Sequence, residues 1–197
     1  IGTFFLVLTI GCSVIGGAAL PPLAIGAALM VMIFAGGHVS GAHYNPAVTL
    51  ALWLRGKCDA KTVPSYMTAQ VAGAILAAVV VGVCRGGSDA GALRVQVIPA
   101  LLVEVLLTFA LASVVLHVAT AKQTAGNAYF GLAIGGTVMA GAYAAGDISG
   151  AAFNPAVAIG ATLMGLSALS DLWIFLVANF AGGALAAFVF RLTHPGE

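Results

Sequence analysis

Ser40-Gly41-Ala42-His43-Tyr44-Asn45-Pro46-Ala47-Val48 returns 109 positions later (45 to 154) as Ser149-Gly150-Ala151-Ala152-Phe153-Asn154-Pro155-Ala156-Val157, with seven of nine residues unchanged. The likeness extends outward at the same spacing, because Leu23-Ala24-Ile25-Gly26 matches Leu132-Ala133-Ile134-Gly135. The chain is a duplicated unit. Asn is a strong N-cap and Pro suits the first helical position. Asn45-Pro46-Ala47 and Asn154-Pro155-Ala156 therefore each read as the start of a helix.

Composition sets the solvent around these helices. Of 197 residues, 61% are hydrophobic and 7% charged, where a water-soluble domain carries roughly a quarter charged residues. Six apolar stretches read as membrane spans: Ile1 to Leu20, Pro21 to Gly37, Val63 to Cys84, Pro99 to Ala121, Asn127 to Gly146 and Asp171 to Leu192. Two more, Asn45 to Leu54 and Asn154 to Leu166, are too short to cross a hydrocarbon core of about 30 Å. The expected architecture is an all-α membrane protein with six spans and two re-entrant half-helices. One channel domain covers 1–197, with repeats at 1–84 and 99–193. An odd number of spans per repeat turns the second copy upside down, so the repeat is inverted.

Charge orients it. Arg55, Lys57, Lys61, Lys122 and Arg191 fall on one side of this drawing and Arg85 and Arg94 on the other, so the first side is cytoplasmic. Gly26 and Gly135 are mates under the repeat, which brings the second and fifth spans together there. Gly73-Ala74 with Ala77 and Ala78, and Gly182-Gly183 with Ala186 and Ala187, favour close helix crossings.

Irregular backbone at membrane depth is tolerated only where it is buried in protein or lines a wet cavity. The segments before the two helix starts therefore expose carbonyls to a pore, with Gly41, Ala42, His43, Gly150 and Ala152 as the lining acceptors. A capping asparagine uses its amide oxygen on its own helix, so its NH₂ faces away. Two inverted half-helices meeting end to end then bring two amide donors and two positive helix ends to one point. A neutral molecule with an acceptor oxygen is favoured there, and a cation or proton is opposed.

At these residues the chain resembles the aquaporin, or major intrinsic protein, family. The resemblance covers the whole chain and includes Gly37-His38-Val39-Ser40-Gly41-Ala42-His43, Gln70 with Gly73-Ala74, and Glu104 with Thr108-Phe109. It implies one pore per protomer and a homotetramer. It also implies that Glu104 is structural, bonded to the loop behind the second half-helix, and that its mate in the first span falls just before Ile1.

The sequence departs from the family at the outer constriction. Where the family usually has Arg after the second Asn-Pro-Ala, this chain has Val157. The resemblance places the other filter positions at Ile25, Ala142 and Ala151, so all four are apolar. The residue after Val157 is Ala158, not the Asp of glycerol facilitators. Val at this position is similar to some plant tonoplast intrinsic proteins, although their His is absent at Ile25.

The expected function is a passive channel for water and small neutral solutes, with ammonia, hydrogen peroxide and urea as solutes, in a lipid bilayer. The plasma or inner membrane is the expected location, with the vacuolar membrane as the alternative. A glycerol-type facilitator, a weakly conducting scaffold of the same fold and an alternating-access carrier are the competing readings. With few charged residues inside the spans, the carrier lacks groups for ion coupling. Paired nucleophile and base, metal-spaced His/Cys cluster and phosphate-binding loop are all missing, so no enzyme activity, metal, cofactor or nucleic-acid partner is expected. Cys12, Cys58 and Cys84 lack ligand spacing and read as packing or surface thiols. His43 reads as an inner-vestibule residue, His38 as a loop contact, and Tyr44 and Phe153 as packing beside the asparagines.

Overall fold

The computed structural model describes residues 1–86 and 91–197; the four between belong to the 1–197 unit expected above and lie outside the described residues. Eight α-helices follow one another among the described residues: α1 (Gly2–Ile15), α2 (Pro21–Ser40), α3 (Pro46–Leu54), α4 (Val63–Arg85), α5 (Val97–Thr120), α6 (Phe130–Ser149), α7 (Pro155–Leu163) and α8 (Leu172–Thr193). Prolines open α2, α3, α4 and α7 within their first two positions, where a missing N–H leaves no hydrogen bond unmade.

Segments containing α2, α4, α5 and α8 are long and apolar enough to cross a membrane unaided. Helix α1 is described over 14 residues, ending at Ile15 rather than Leu20 because Gly16-Gly17 terminates it with Gly17 at φ 66°. Helix α6 has 20 residues but holds five glycines, which dilute its hydropathy and suit it to close packing rather than lipid contact. The half-helices α3 and α7 have nine residues each, about 14 Å at the helical rise. Neither reaches across the bilayer.

The two repeats, α1–α4 and α5–α8, interlock. Helix α2 packs on α6, α1 on α4, and α5 on α8, while α3 leans on α8 and α7 on α4, so each half-helix is held by the last span of the other repeat. Small residues allow this. A methyl group added at Gly26 would lie 2.7 Å from the Gly135 carbonyl oxygen, and one at Gly135 would lie 2.5 Å from the Gly26 carbonyl oxygen. The expected contact between the second and fifth spans is therefore backbone to backbone. Gly183 of α8 meets the Ala47 carbonyl oxygen of α3 in the same way, at 2.5 Å.

Large apolar side chains point outward. Val79, Val83, Leu102, Leu106, Phe188 and Leu192 are all more than half exposed, the inverse of a soluble core and the arrangement lipid requires. In the first helix of each repeat, Gly73 meets Thr3 and Phe4 where Gly182 meets Thr108 and Phe109. The duplicated geometry thus persists where the sequence likeness is weak.

The Gly183 contact makes a direct prediction. Gly183→Ala is expected to cost about 1–3 kcal/mol through overpacking and to lower the thermal midpoint of the detergent-solubilised protein by several degrees. Gly136→Ala, where an added methyl meets nothing within 4 Å, is expected to hold or raise it. Equal shifts in a thermal-unfolding assay of the two variants would refute the backbone-contact argument.

Candidate functional site

Both helices that enter the repeated loops end in a left-handed glycine, Gly41 at φ 78° and Gly150 at φ 85°. The chain then stays partly left-handed with side chains present: Ala42 and Tyr44 have φ 49° and 48°, and Ala151 and Phe153 have 55° and 48°. Each such residue costs roughly 1–3 kcal/mol and persists only where surrounding contacts impose it. Those contacts are visible. Ser40 and Ser149 hydroxyls accept from the Ala42 and Ala151 amides at 3.4 and 3.1 Å.

Glu104, fully buried in α5, holds the second loop from behind. Its carboxylate accepts from the Ser149 hydroxyl at 2.7 Å and from the Ala152 and Phe153 amides at 2.9 and 2.8 Å. In the first loop the His43 amide donates instead to the Tyr66 hydroxyl at 3.3 Å, which in turn donates to the Ser40 carbonyl at 2.7 Å. These bonds fix the amide side of each loop.

The asparagines join the two loops. Asn45 Oδ1 accepts from the Ala47 and Val48 amides at 2.8 and 3.4 Å, and Asn154 Oδ1 accepts from Ala156 and Val157 at 3.0 and 3.4 Å. Each NH₂ then donates across the repeat boundary. Asn45 Nδ2 reaches the Phe153 carbonyl at 2.8 Å, and Asn154 Nδ2 reaches the Tyr44 carbonyl at 2.9 Å. An amide NH₂ has two hydrogens. One is used in this clasp, so each asparagine retains one donor, and the Tyr44 and Phe153 carbonyls are occupied.

A continuous cavity of about 1510 Å³ runs past these groups, from Lys57 and Asn127 at one end to Arg85 and Leu93 at the other. Asn45 and Asn154 line it, as do Gly41, Ala42, His43, Gly150 and Ala152. Ile25, Ala142, Ala151 and Val157 also line it, bringing α2, α6, the second loop and α7 to one stretch of wall.

The rest of the two Asn-Pro-Ala motifs faces elsewhere. Ala47 and Ala156 are fully buried, and Pro46 and Pro155 border a separate apolar groove between α4 and α8. The four residues shape the helix starts and leave the cavity wall to the asparagines, because α3 packs on α8 and α7 on α4 on this side.

His43 is fixed in the wall by Tyr66, whose ring stacks on it at 4.4 Å between centroids. Thr49 Oγ1 donates to the Asn45 carbonyl and receives Gln70 Nε2, so its 3.2 Å contact with His43 Nδ1 is satisfied by an Nδ1–H tautomer. That leaves Nε2 as an acceptor. Thr49, Tyr66 and Asn179 escaped the sequence reading. The repeat itself carried a signal for Asn179, the mate of Gln70, which accepts from the Thr108 hydroxyl at 2.8 Å. Leu93 carried no signal, since its place follows from tertiary pairing: the Leu93 amide donates to the Leu166 carbonyl and its carbonyl accepts from Ala168.

Comparison with known proteins agrees with this architecture. Residues 1–190 match the family described as Major intrinsic protein. Aquaporin NIP1-4 of Oryza sativa subsp. japonica is 39% identical over 206 residues, covering 98% of this chain and 74% of the relative. Aquaporin NIP1-2 of Arabidopsis thaliana is 34% identical over 217 residues, covering 98% and 72%. The X-ray structure of the aquaglyceroporin from Plasmodium falciparum superposes with a TM-score of 0.82 over 96% of this chain and 91% of that one, at 24% identity, a likeness of fold. These whole-chain similarities run to the NIP proteins, whereas the tonoplast likeness rests on the single position Val157. With the match spanning nearly its full length and both repeats, the chain belongs to the major intrinsic protein family of aquaporins.

Proposed function

We propose that the chain conducts water together with small uncharged solutes such as ammonia, hydrogen peroxide and urea, and that its paired asparagines exclude protons. Its family consists of passive channels, not enzymes. The observation that carries the finer reading is an all-apolar wall at Ile25, Ala142, Ala151 and Val157 on the same cavity as two amide donors. Pore selectivity follows diameter, lining hydrogen-bond groups and electrostatic barriers. Alanine at two of these four positions widens the passage, and Val157 removes the usual donor and charge.

Asn45 and Asn154 act here as donors to the permeant oxygen. A water held by the one free hydrogen of each amide has both lone pairs occupied, so it cannot accept a proton from its neighbour. The amino-terminal ends of α3 and α7 add positive potential at the same place. The carbonyls of Gly41, Ala42, His43, Gly150 and Ala152 replace the hydration of solutes on either side, and Glu104 keeps the second row in position. The unit acts as one channel domain over 1–197 within a homotetramer, with the Lys57 end in the cytoplasm. The plasma or inner membrane is its proposed location.

Three measurements test this reading. Val157→Arg narrows the passage and is expected to keep water flux in proteoliposomes while reducing urea flux by about tenfold, the effect of a barrier raised by roughly 1.4 kcal/mol. Unchanged urea flux would remove Val157 from the filter, and preferential glycerol passage by the parent chain would favour the facilitator reading.

Asn154→Asp retains the capping oxygen and removes the NH₂, so proton flux relative to water flux is expected to rise. An unaltered ratio would refute the donor role.

Glu104→Gln turns an acceptor of three donors partly into a donor. It is expected to lower stability by about 2–3 kcal/mol, on the scale of lost hydrogen bonds to a charged group. A wild-type melting curve would show that the carboxylate does not hold the loop.

A further inference from the structure

Among the described residues, the charged side chains that line the cavity share one sign. Arg85 and Arg94 lie at the outer mouth and Lys57 at the inner mouth, and among the described residues no carboxylate lines the cavity. The chain as a whole is nearly balanced, with seven Lys and Arg against six Asp and Glu. Among the described residues the bias therefore belongs to the cavity wall and not to composition.

Both outer arginines are positioned by the fold. Arg85 ends α4, and its guanidinium lies over the carboxyl end of α1, where a methyl added at Gly16 would sit 3.0 Å from Cζ. The negative ends of two helices thus hold one cation at the rim. Arg94 is carried in by the α4–α5 connection, which pairs with the α7–α8 connection through Leu93 and Ser167. Its Nη1 donates to the Ser170 hydroxyl at 2.8 Å. Asp171, which receives the Val95 amide, lies outside the lining. On the inner side Lys57 follows α3 and closes its end, its amide donating to the Leu52 carbonyl at 2.8 Å.

The wall between the mouths needs such a counterweight. Rows of backbone carbonyls are the groups with which cation channels replace ion hydration, and here they adjoin a filter without any fixed positive charge. We propose that Arg85, Arg94 and Lys57 form a distributed cation barrier, displaced to the two mouths, that performs the charge exclusion Val157 cannot. The barrier keeps inorganic cations away from the carbonyl rows while leaving the filter open to neutral solutes. A cleft lined by one sign of charge focuses potential and changes local ion concentration by about 10- to 1000-fold.

This inference rests on the channel reading, and one experiment separates the two. Water flux and potassium flux are measured together in proteoliposomes containing the full chain, for the parent, Arg85→Gln/Arg94→Gln, Arg85→Lys/Arg94→Lys and Lys57→Gln. The potassium-to-water ratio is expected to rise roughly tenfold in the double Gln variant, to remain at the parent value in the double Lys variant, and to rise less in Lys57→Gln. Adding Val157→Arg to the double Gln variant is expected to restore exclusion. If the parent passes no water, the channel reading fails. If all variants pass water and the double Gln variant stays as potassium-tight as the parent, the barrier is overturned; a leak in the double Lys variant of equal size also overturns it, because packing rather than charge would then be responsible.

Discussion

Two hydrogen bonds of 2.8 and 2.9 Å, from Asn45 to the Phe153 carbonyl and from Asn154 to the Tyr44 carbonyl, hold the two halves of this protein at its centre. Each asparagine does three things with one amide: its oxygen starts a helix, one hydrogen locks the opposite loop, and the other hydrogen remains for the cavity. Without the exchange, two helix ends of the same polarity would face each other, a repulsive arrangement of dipoles. The clasp connects them through negative carbonyl oxygens placed between the positive ends. The central polar groups thereby become rigid before any solute arrives.

The clasp imposes a conformational cost on its surroundings. To present the Tyr44 and Phe153 carbonyls, those residues adopt left-handed backbone that glycine would tolerate with less strain. Glycine would leave the places of the two aromatic rings empty: the Phe153 ring is buried against Gly141, and the Tyr44 hydroxyl donates to the Met32 carbonyl. Packing and strain are thus supplied by the same residue. Glu104 offsets part of the strain in the second loop, while Tyr66, Thr49 and Gln70 brace the first by a different set of bonds. The repeats are alike in geometry and unlike in the chemistry that maintains it.

Selectivity then divides between places. On the proposed reading, the asparagines offer oriented donors at the centre, the apolar stretch around Val157 admits by size, and the charge at the mouths acts on ions before they meet the carbonyls. Each task uses a different physical quantity, so a change at one place need not abolish the others. An apolar filter offers no side-chain donor to replace the hydration that a polar solute loses there, so on this reading the neighbouring backbone groups and the asparagines must supply it.

The duplication, the helix starts at Asn45 and Asn154, the six spans and the inverted order of the repeats were all legible in the sequence, because capping chemistry and hydrophobic length are local properties. The contact of Gly26 with Gly135 was legible too, since the repeat makes those residues mates. The sequence reading also identified the amide donors but not their mutual use, and it grouped Pro46, Ala47, Pro155 and Ala156 with the pore although they face away from it. Direction around a short capped helix depends on what the helix packs against, and here that is Gly183 or α4. The bracing by Thr49 and Tyr66, and the entry of Leu93 and Arg94 into the outer mouth, arise from pairings between distant segments with no periodicity to betray them. The sequence by itself determined which elements exist and where they begin, through local backbone chemistry; only the tertiary structure decided which of their polar and charged atoms share one cavity, because that is settled by contacts between chains of residues far apart in order.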